Sequence, residues 1–198
     1  MLRSKILESV LPLCLDPRPI LRARARRVEA FTDEVRLLSA RLIETMRAHD
    51  GVGLAAPQVG RSVQMFVANP SRRRGSELVV INPVVERLEG RSAILEGCLS
   101  LPEVWERVRR AARIHLRGQD VEGRPCRVEA DGLLAIVLQH EVDHLQGRLF
   151  IDRLPWWRRR VIASRLAARR GTSMTPMGAR AQQAVKHAWR STFTDACA

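Results

Sequence analysis

Val35, Leu38, Leu42 and Met46 recur at three- and four-residue spacing, which puts one apolar stripe along a helix. Thr32 precedes the stripe as a candidate N-cap, and Gly51, after His49 and Asp50, is a candidate stop. From Gly51 the texture changes. Val63 to Ala68, Leu78 to Ile81, Ile114 to Arg117 and Pro125 to Glu129 are short β-branched or apolar runs. Asn69-Pro70, Asn82-Pro83 and Glu122-Gly123 punctuate them, so the pattern predicts strands. Asp131 is placed to cap a second helix. Leu133, Leu134, Ile136, Val137, Leu138 and Val142 make that helix apolar nearly all round, which predicts a buried central element ending near Gly147. Leu149 to Leu154 reads as a short strand or turn. Upstream, Leu15 to Val28 reads as an irregular arm with a short turn of helix.

Beyond Pro155 the pattern shifts again. Trp156 and Trp157 open a segment with Arg158, Arg159, Arg160, Arg165, Arg169, Arg170, Arg180, Lys186 and Arg190 against the single acid Asp195. Residues 157–170 have helical texture, which Gly171 to Gly178 breaks. The predicted class is α+β: short antiparallel or mixed strands around a central buried helix, with an amphipathic helix before it and a C-terminal helix after it. Residues 1–155 read as one domain, and 156–198 as a basic helix with a flexible tail.

The formal net charge is +13, and Lys5 and Lys186 are the only lysines, so arginine carries almost all of it. Such an excess favours a polyanionic partner, but charge alone weighs this evenly against an arginine-rich surface. Cys14, Cys98, Cys126 and Cys197 form no Cys-x-x-Cys pair. Ile6 to Leu15 is interrupted by Glu8 and Pro12 and makes a poor signal peptide. No apolar run approaches the roughly 18 residues that a membrane span needs. These features predict a cytoplasmic protein with free thiols.

The chemistry concentrates in His140-Glu141-Val142-Asp143-His144. Two histidines four apart share a helix face and can direct ring nitrogens at one cation, while Glu141 beside them can take a proton from water. The alternative is a chance pair satisfied by hydrogen bonds. It is weakened because burying two histidines and a carboxylate on an apolar helix is costly unless a cation compensates. A third ligand is required. Phe150 stands where the extended metzincin pattern has its third histidine, so that class is disfavoured. His187 lies in the basic tail, His115 in a predicted strand and His49 at a helix end. Cys98, in Glu96-Gly97-Cys98-Leu99-Ser100, is a candidate thiolate ligand or else a small buried hydrophobe.

Together, Gly51-Val52-Gly53-Leu54-Ala55-Ala56-Pro57-Gln58, Glu96-Gly97-Cys98-Leu99-Ser100 and Gln139-His140-Glu141-Val142-Asp143-His144-Leu145 resemble the signature motifs of peptide deformylases, in order and spacing. The resemblance covers roughly residues 5–155, so residues 1–155 read as a catalytic metallohydrolase domain. It implies removal of the N-formyl group from the formylmethionine of new polypeptides. It implies one divalent metal, natively Fe2+, with Zn2+, Ni2+ or Co2+ as substitutes, held by Cys98, His140 and His144. It makes Glu141 the general base, and Gln58 with the Leu99 backbone N–H the stabilisers of the formyl oxygen. It assigns the substrate pocket to Val52, Gly53, Leu133, Ile136 and Val137, with Trp105 nearby. A ribosomal RNA contact through the basic C-terminal segment, no membrane association and a monomeric state are further expectations. Trp105 and Arg109 depart from the family pattern, and both are expected to reshape the pocket entrance. Two rivals are a peptidase using the same helix, and an RNA-binding relative without catalysis. The matched cysteine motif opposes the first, and the intact Gln58, Cys98, His140, Glu141 and His144 oppose the second.

Overall fold

The structure is a computed structural model that describes residues 10–171. It contains helix α1 (Asp33–Ala48), strands β1 (Gly53–Ala55), β2 (Met65–Ala68), β3 (Leu78–Glu89), β4 (Ser92–Cys98), β5 (Leu101–Arg110), β6 (Arg113–Gln119) and β7 (Pro125–Asp131), then helices α2 (Gly132–Leu145) and α3 (Trp156–Gly171). Strands β1, β2, β3, β6 and β7 form one antiparallel sheet in that order, and β4 pairs with β5 in a separate antiparallel hairpin. The expected α+β class is what the chain forms.

Strand alternation builds the layers. All of β2 is buried, because each of its faces meets a different helix. Phe66 and Ala68 join Ala55, Val80, Ile114 and Leu116 in a core completed by Ala135, Leu138, Val142 and Leu145 of α2. Met65 and Val67 join Leu54 and Ile81 in a second core, closed by Leu42 and Met46 of α1. The α1 stripe read from the sequence is therefore the stripe that is buried. A third cluster ties Leu101 and Val108 of the hairpin to Leu149, Phe150, Ile151 and Leu154, with Ile162 of α3 inside it and Leu166 against it. The helical reading of 157–170 holds, and α3 is seated on the fold rather than projecting from it.

The structure departs from the pattern in three places. Asn82-Pro83 does not end the third strand, which continues to Glu89 through a register shift between Ile81 and Val84. Asn82 takes φ 52°, and its side chain bonds the N–H and carbonyl of Val28, so the break is a bulge that tolerates a proline without its N–H. The strand or turn expected at Leu149 to Leu154 is a turn, a single 3-10 turn at Phe150–Arg153, where Asp152 accepts the Leu149 N–H at 2.8 Å. Strand β1 and the β4–β5 hairpin have no counterpart in the expected elements. Thr32 and Asp131 occupy N-cap positions with extended backbone, but neither side chain caps its helix. The expected break beyond Gly171, the tail residues Arg180, Lys186, His187, Arg190 and Cys197, and the Ile6 end of the N-terminal arm lie outside the described residues.

Candidate active site and metal centre

Helix α2 places His140 and His144 one turn apart, with their Nε2 atoms separated by 3.2 Å. Cys98 enters from β4. It pairs directly with Leu101, so Leu99 and Ser100 form a tight hairpin turn that holds the sulfur over the helix. Cys98 Sγ lies 3.3 Å from His144 Nε2, and the ligand atoms of all three residues fall within 4.8 Å of one another. A tetrahedral cation with ordinary metal–nitrogen and metal–sulfur bonds sets ligand–ligand edges of about 3.3–3.6 Å. The donor set and its spacing fit a divalent metal. An orphan group supports the fit: Glu141 Oε2 is buried beside the cluster without a hydrogen-bond partner among the described residues.

A buried ionic chain stands behind the ligands. His140 Nδ1 meets Glu96 Oε2 at 2.9 Å. Arg110, fully buried, grips Glu96 through Nε at 2.7 Å and Nη2 at 2.9 Å, and donates through Nη1 to Asp143. Arg153 holds the same Asp143 with two bonds of 2.6 Å. Burial raises the Glu96 carboxyl, but hydrogen bonds donated by Arg110 and His140 outweigh it and hold the group at about 2. Burial pulls His140 down, yet Cys98 and Glu96 lift it well above an ordinary histidine. His144 lacks such an acid and is pushed well below, by burial and by the charges of His140, Arg110 and Arg22. Burial raises Glu141 to about 7, against the opposing pull of His140 and Arg110.

These groups open into one cavity of about 620 Å3. Val52, Gly53, Gln58, Cys98, Leu99, Trp105, Leu133, Ile136, Val137, His140 and Glu141 line it; His144 sits behind, 1% exposed. Gln58 lies in the 3-10 turn Ala56–Val59. Its Oε1 accepts the Ala55 N–H at 2.8 Å, which leaves Nε2 facing Cys98 Sγ at 3.5 Å and Ser100 Oγ at 3.3 Å. The β1 backbone passes directly over the carboxylate: a Cβ on Gly53 would overlap Glu141 and come within 2.8 Å of Val137. Across the cleft, the Trp105 ring lies flat on Gly97, with 2.8 Å to a Cβ built there. Phe150, whose identity disfavours a third histidine, stacks on His140 with ring centroids 6.0 Å apart.

Not every candidate converges. Arg109 does not reach the entrance shared by Trp105; it is exposed and borders a separate cavity. His115 sits on β6 facing Glu129 at 3.6 Å, away from the site. His49, at the end of α1, borders the cavity mouth with Asp50 and Arg72, an ion pair at 3.3 Å. The Glu96–Arg110–Asp143–Arg153 chain was outside the sequence reading. Glu96 and Asp143 lay inside the recognised motifs, while Arg110 carried no local signal.

An apolar cleft with two imidazoles, a thiol and a buried carboxylate at its base, on this fold, defines a metal-dependent hydrolase. Its family follows from comparison: the model of the polypeptide deformylase family matches residues 10–160, and the chain belongs to that family. A peptide deformylase of Acinetobacter baumannii (strain SDF) is 45% identical over 155 residues, 77% of this chain and 88% of the relative. The crystal structure of a Legionella pneumophila peptide deformylase superposes with a TM-score of 0.78 at 33% identity, covering 84% of this chain and 99% of that one. A Met-Ala-Ser-bound peptide deformylase from A. baumannii gives a TM-score of 0.69 at 31% identity, covering 73% and 98%.

Proposed function

We propose that this chain hydrolyses the N-formyl group from the formylmethionine of newly synthesised polypeptides. The convergence of Cys98, His140, His144, Glu141 and Gln58 on one apolar-walled cavity carries the reading. One divalent metal, natively Fe2+, is held by Cys98, His140 and His144; thiolate–imidazole ligation also accommodates Zn2+, Ni2+ or Co2+. When bound, the metal supplies Lewis acidity that lowers the pKa of water and polarises the formyl oxygen.

The protein's own groups do the rest. Glu141 accepts the proton of the attacking water and returns it to the leaving amine, a task suited to a buried carboxyl lifted to about 7. Gln58 Nε2, locked in orientation by Ala55, and the Leu99 backbone N–H donate to the formyl oxygen as it gains charge. Val52, Leu133, Ile136 and Val137 receive the methionine side chain. The peptide backbone runs along Gly51 to Gly53 as an added strand, with Trp105 beside the following residues. The related A. baumannii structure with Met-Ala-Ser bound supports a ligand with methionine first.

The test is formate release from a formyl-Met tripeptide by anaerobically purified protein, with metal content measured alongside. Wild type is expected to release formate. Glu141→Ala is expected to retain metal and lose nearly all activity. Cleavage of internal bonds with the formyl group left in place would instead make it a peptidase.

The protein acts as a cytoplasmic monomer, and the exposed arginines of α3 dock on ribosomal RNA. Arg158, Arg159, Arg160 and Arg165 are exposed or pair only at the surface, beside exposed Trp156 and Trp157. Changing these arginines to glutamine is expected to reduce ribosome co-sedimentation at low salt; equal binding rejects the contact. Substitution is preferable to truncation, because Ile162 is part of the core. Among the described residues, no helix is long and apolar enough to cross a membrane.

A further inference from the structure

Apart from the formyl cleft, Arg109, Arg148, Asp152 and Arg153 line an open cavity of about 450 Å3. Its charges do not cancel within it. The one carboxylate among the described lining residues, Asp152, is engaged by Arg22 at 2.6 Å and by the Leu149 N–H at 2.8 Å. Arg153 directs two nitrogens at Asp143, outside the cavity lining. Arg109 and Arg148 are exposed and have no ion-pair partner among the described residues.

Both are presented from constrained backbone. On β5, Arg110 turns inward to Glu96 and its neighbour Arg109 turns outward. Arg148 follows Gly147, which has φ 72° and is packed so tightly that a Cβ would lie 2.6 Å from the Arg22 carbonyl oxygen. Guanidinium groups that line one cavity are favoured by an anion among them, and their planar donor forks match phosphate oxygens. Among the described residues, the cavity has no large apolar side chain in its lining to hold a hydrophobic ligand.

We propose that this cavity is a phosphate-binding site, in which Arg109 and Arg148, with Arg153 at the edge, seat a phosphate group. The group belongs either to the backbone of an RNA strand or to a small phosphorylated ligand. Neither residue lines the formyl cleft, so the site is separate from catalysis.

The test uses the full-length, metal-loaded protein. Inorganic pyrophosphate is titrated calorimetrically, and a short labelled single-stranded RNA is titrated at several salt concentrations. Wild type is compared with Arg109→Gln/Arg148→Gln, and with Arg158→Gln/Arg159→Gln/Arg160→Gln as a surface-charge control. The cavity variant is expected to weaken binding by about tenfold or more, with Tm, metal content and formate release unchanged. If RNA is the source, its salt slope also falls by about 1.4, two phosphate contacts' worth, while the α3 control leaves pyrophosphate binding intact. Loss of pyrophosphate binding with RNA binding retained assigns a small ligand, and loss of RNA binding, with or without that of pyrophosphate, assigns the backbone phosphate. The site is rejected if wild type binds neither probe, or if the cavity variant binds both as wild type does.

Discussion

Glu96 Oε2 lies 2.9 Å from Nδ1 of His140, and this bond aims the opposite ring nitrogen at Cys98 and His144. Glu96 belongs to β4, two residues before Cys98, so one strand delivers both a proposed ligand and the group that orients another. Groups in this position commonly change metal affinity by about 10–100-fold. Glu96→Ala is expected to lose metal to a chelator at a concentration lower by about that factor. Glu96→Gln is expected to fall between, since an amide oxygen can still accept from the ring. Wild-type chelator resistance in Glu96→Ala would show that His140 is oriented by packing against Phe150 instead.

Arg110 is the keystone of the buried charges, joined to Glu96 and Asp143. Removing it leaves both carboxylates buried with lost pairing, a defect that typically costs about 3–5 kcal/mol. Arg110→Leu is therefore expected to lower unfolding free energy by about that amount in urea titrations. Arg153 offsets part of the loss at Asp143, so most of the penalty is expected at Glu96. A change under about 1 kcal/mol would mean that the network breaks even with an apolar core.

The same carboxylate predicts an acid limb in the stability of the apo protein. The folded Glu96 titrates at about 2, below its unfolded value of 4.5. Its contribution is present in full above the unfolded value and is lost as pH falls toward the folded one. The shift corresponds to about 3 kcal/mol. The difference in unfolding free energy between wild type and Glu96→Gln is expected to be steady above the unfolded value and to shrink below it. A difference independent of pH over that window would place the folded pKa near its ordinary value.

Gly53 and Glu141 make a steric prediction. A methyl group on Gly53 overlaps the carboxylate, so Gly53→Ala must displace Glu141 or lift β1 from the helix. A misplacement of this size costs about 10²-fold in kcat. Metal content is expected to stay unchanged, since Cys98, His140 and His144 are not touched. Full kcat in Gly53→Ala would remove Glu141 from its proposed place in proton transfer.

The local parts of this site were legible in the chain. Helical spacing alone puts His140 and His144 on one face, and the apolar residues around them place that face inside. The α1 stripe, the approximate positions of β2, β3, β6 and β7, and the class of fold follow from the same short-range periodicities. Strand β1 is too short to show a period, and β5, with adjacent charges at Glu106-Arg107 and Arg109-Arg110, has no clean strand period. Asn82-Pro83 looks like a terminator because proline cannot donate to a ladder; only the neighbouring strand reveals a bulge.

What the sequence determined by itself is therefore the chemistry of the helix: two imidazoles and a carboxylate at fixed offsets, on an element that must be buried. Tertiary structure decided what that helix meets. It set Cys98 against His144, Gln58 against Cys98, and Gly53 over Glu141. It threaded Arg110 between Glu96 and Asp143 and turned Arg109 outward to a second cavity. The reason is one of range: backbone periodicity acts over a few residues, whereas these partners lie 14 (Glu96 and Arg110) to 88 (Gly53 and Glu141) positions apart and meet only because sheet register and core packing bring them together.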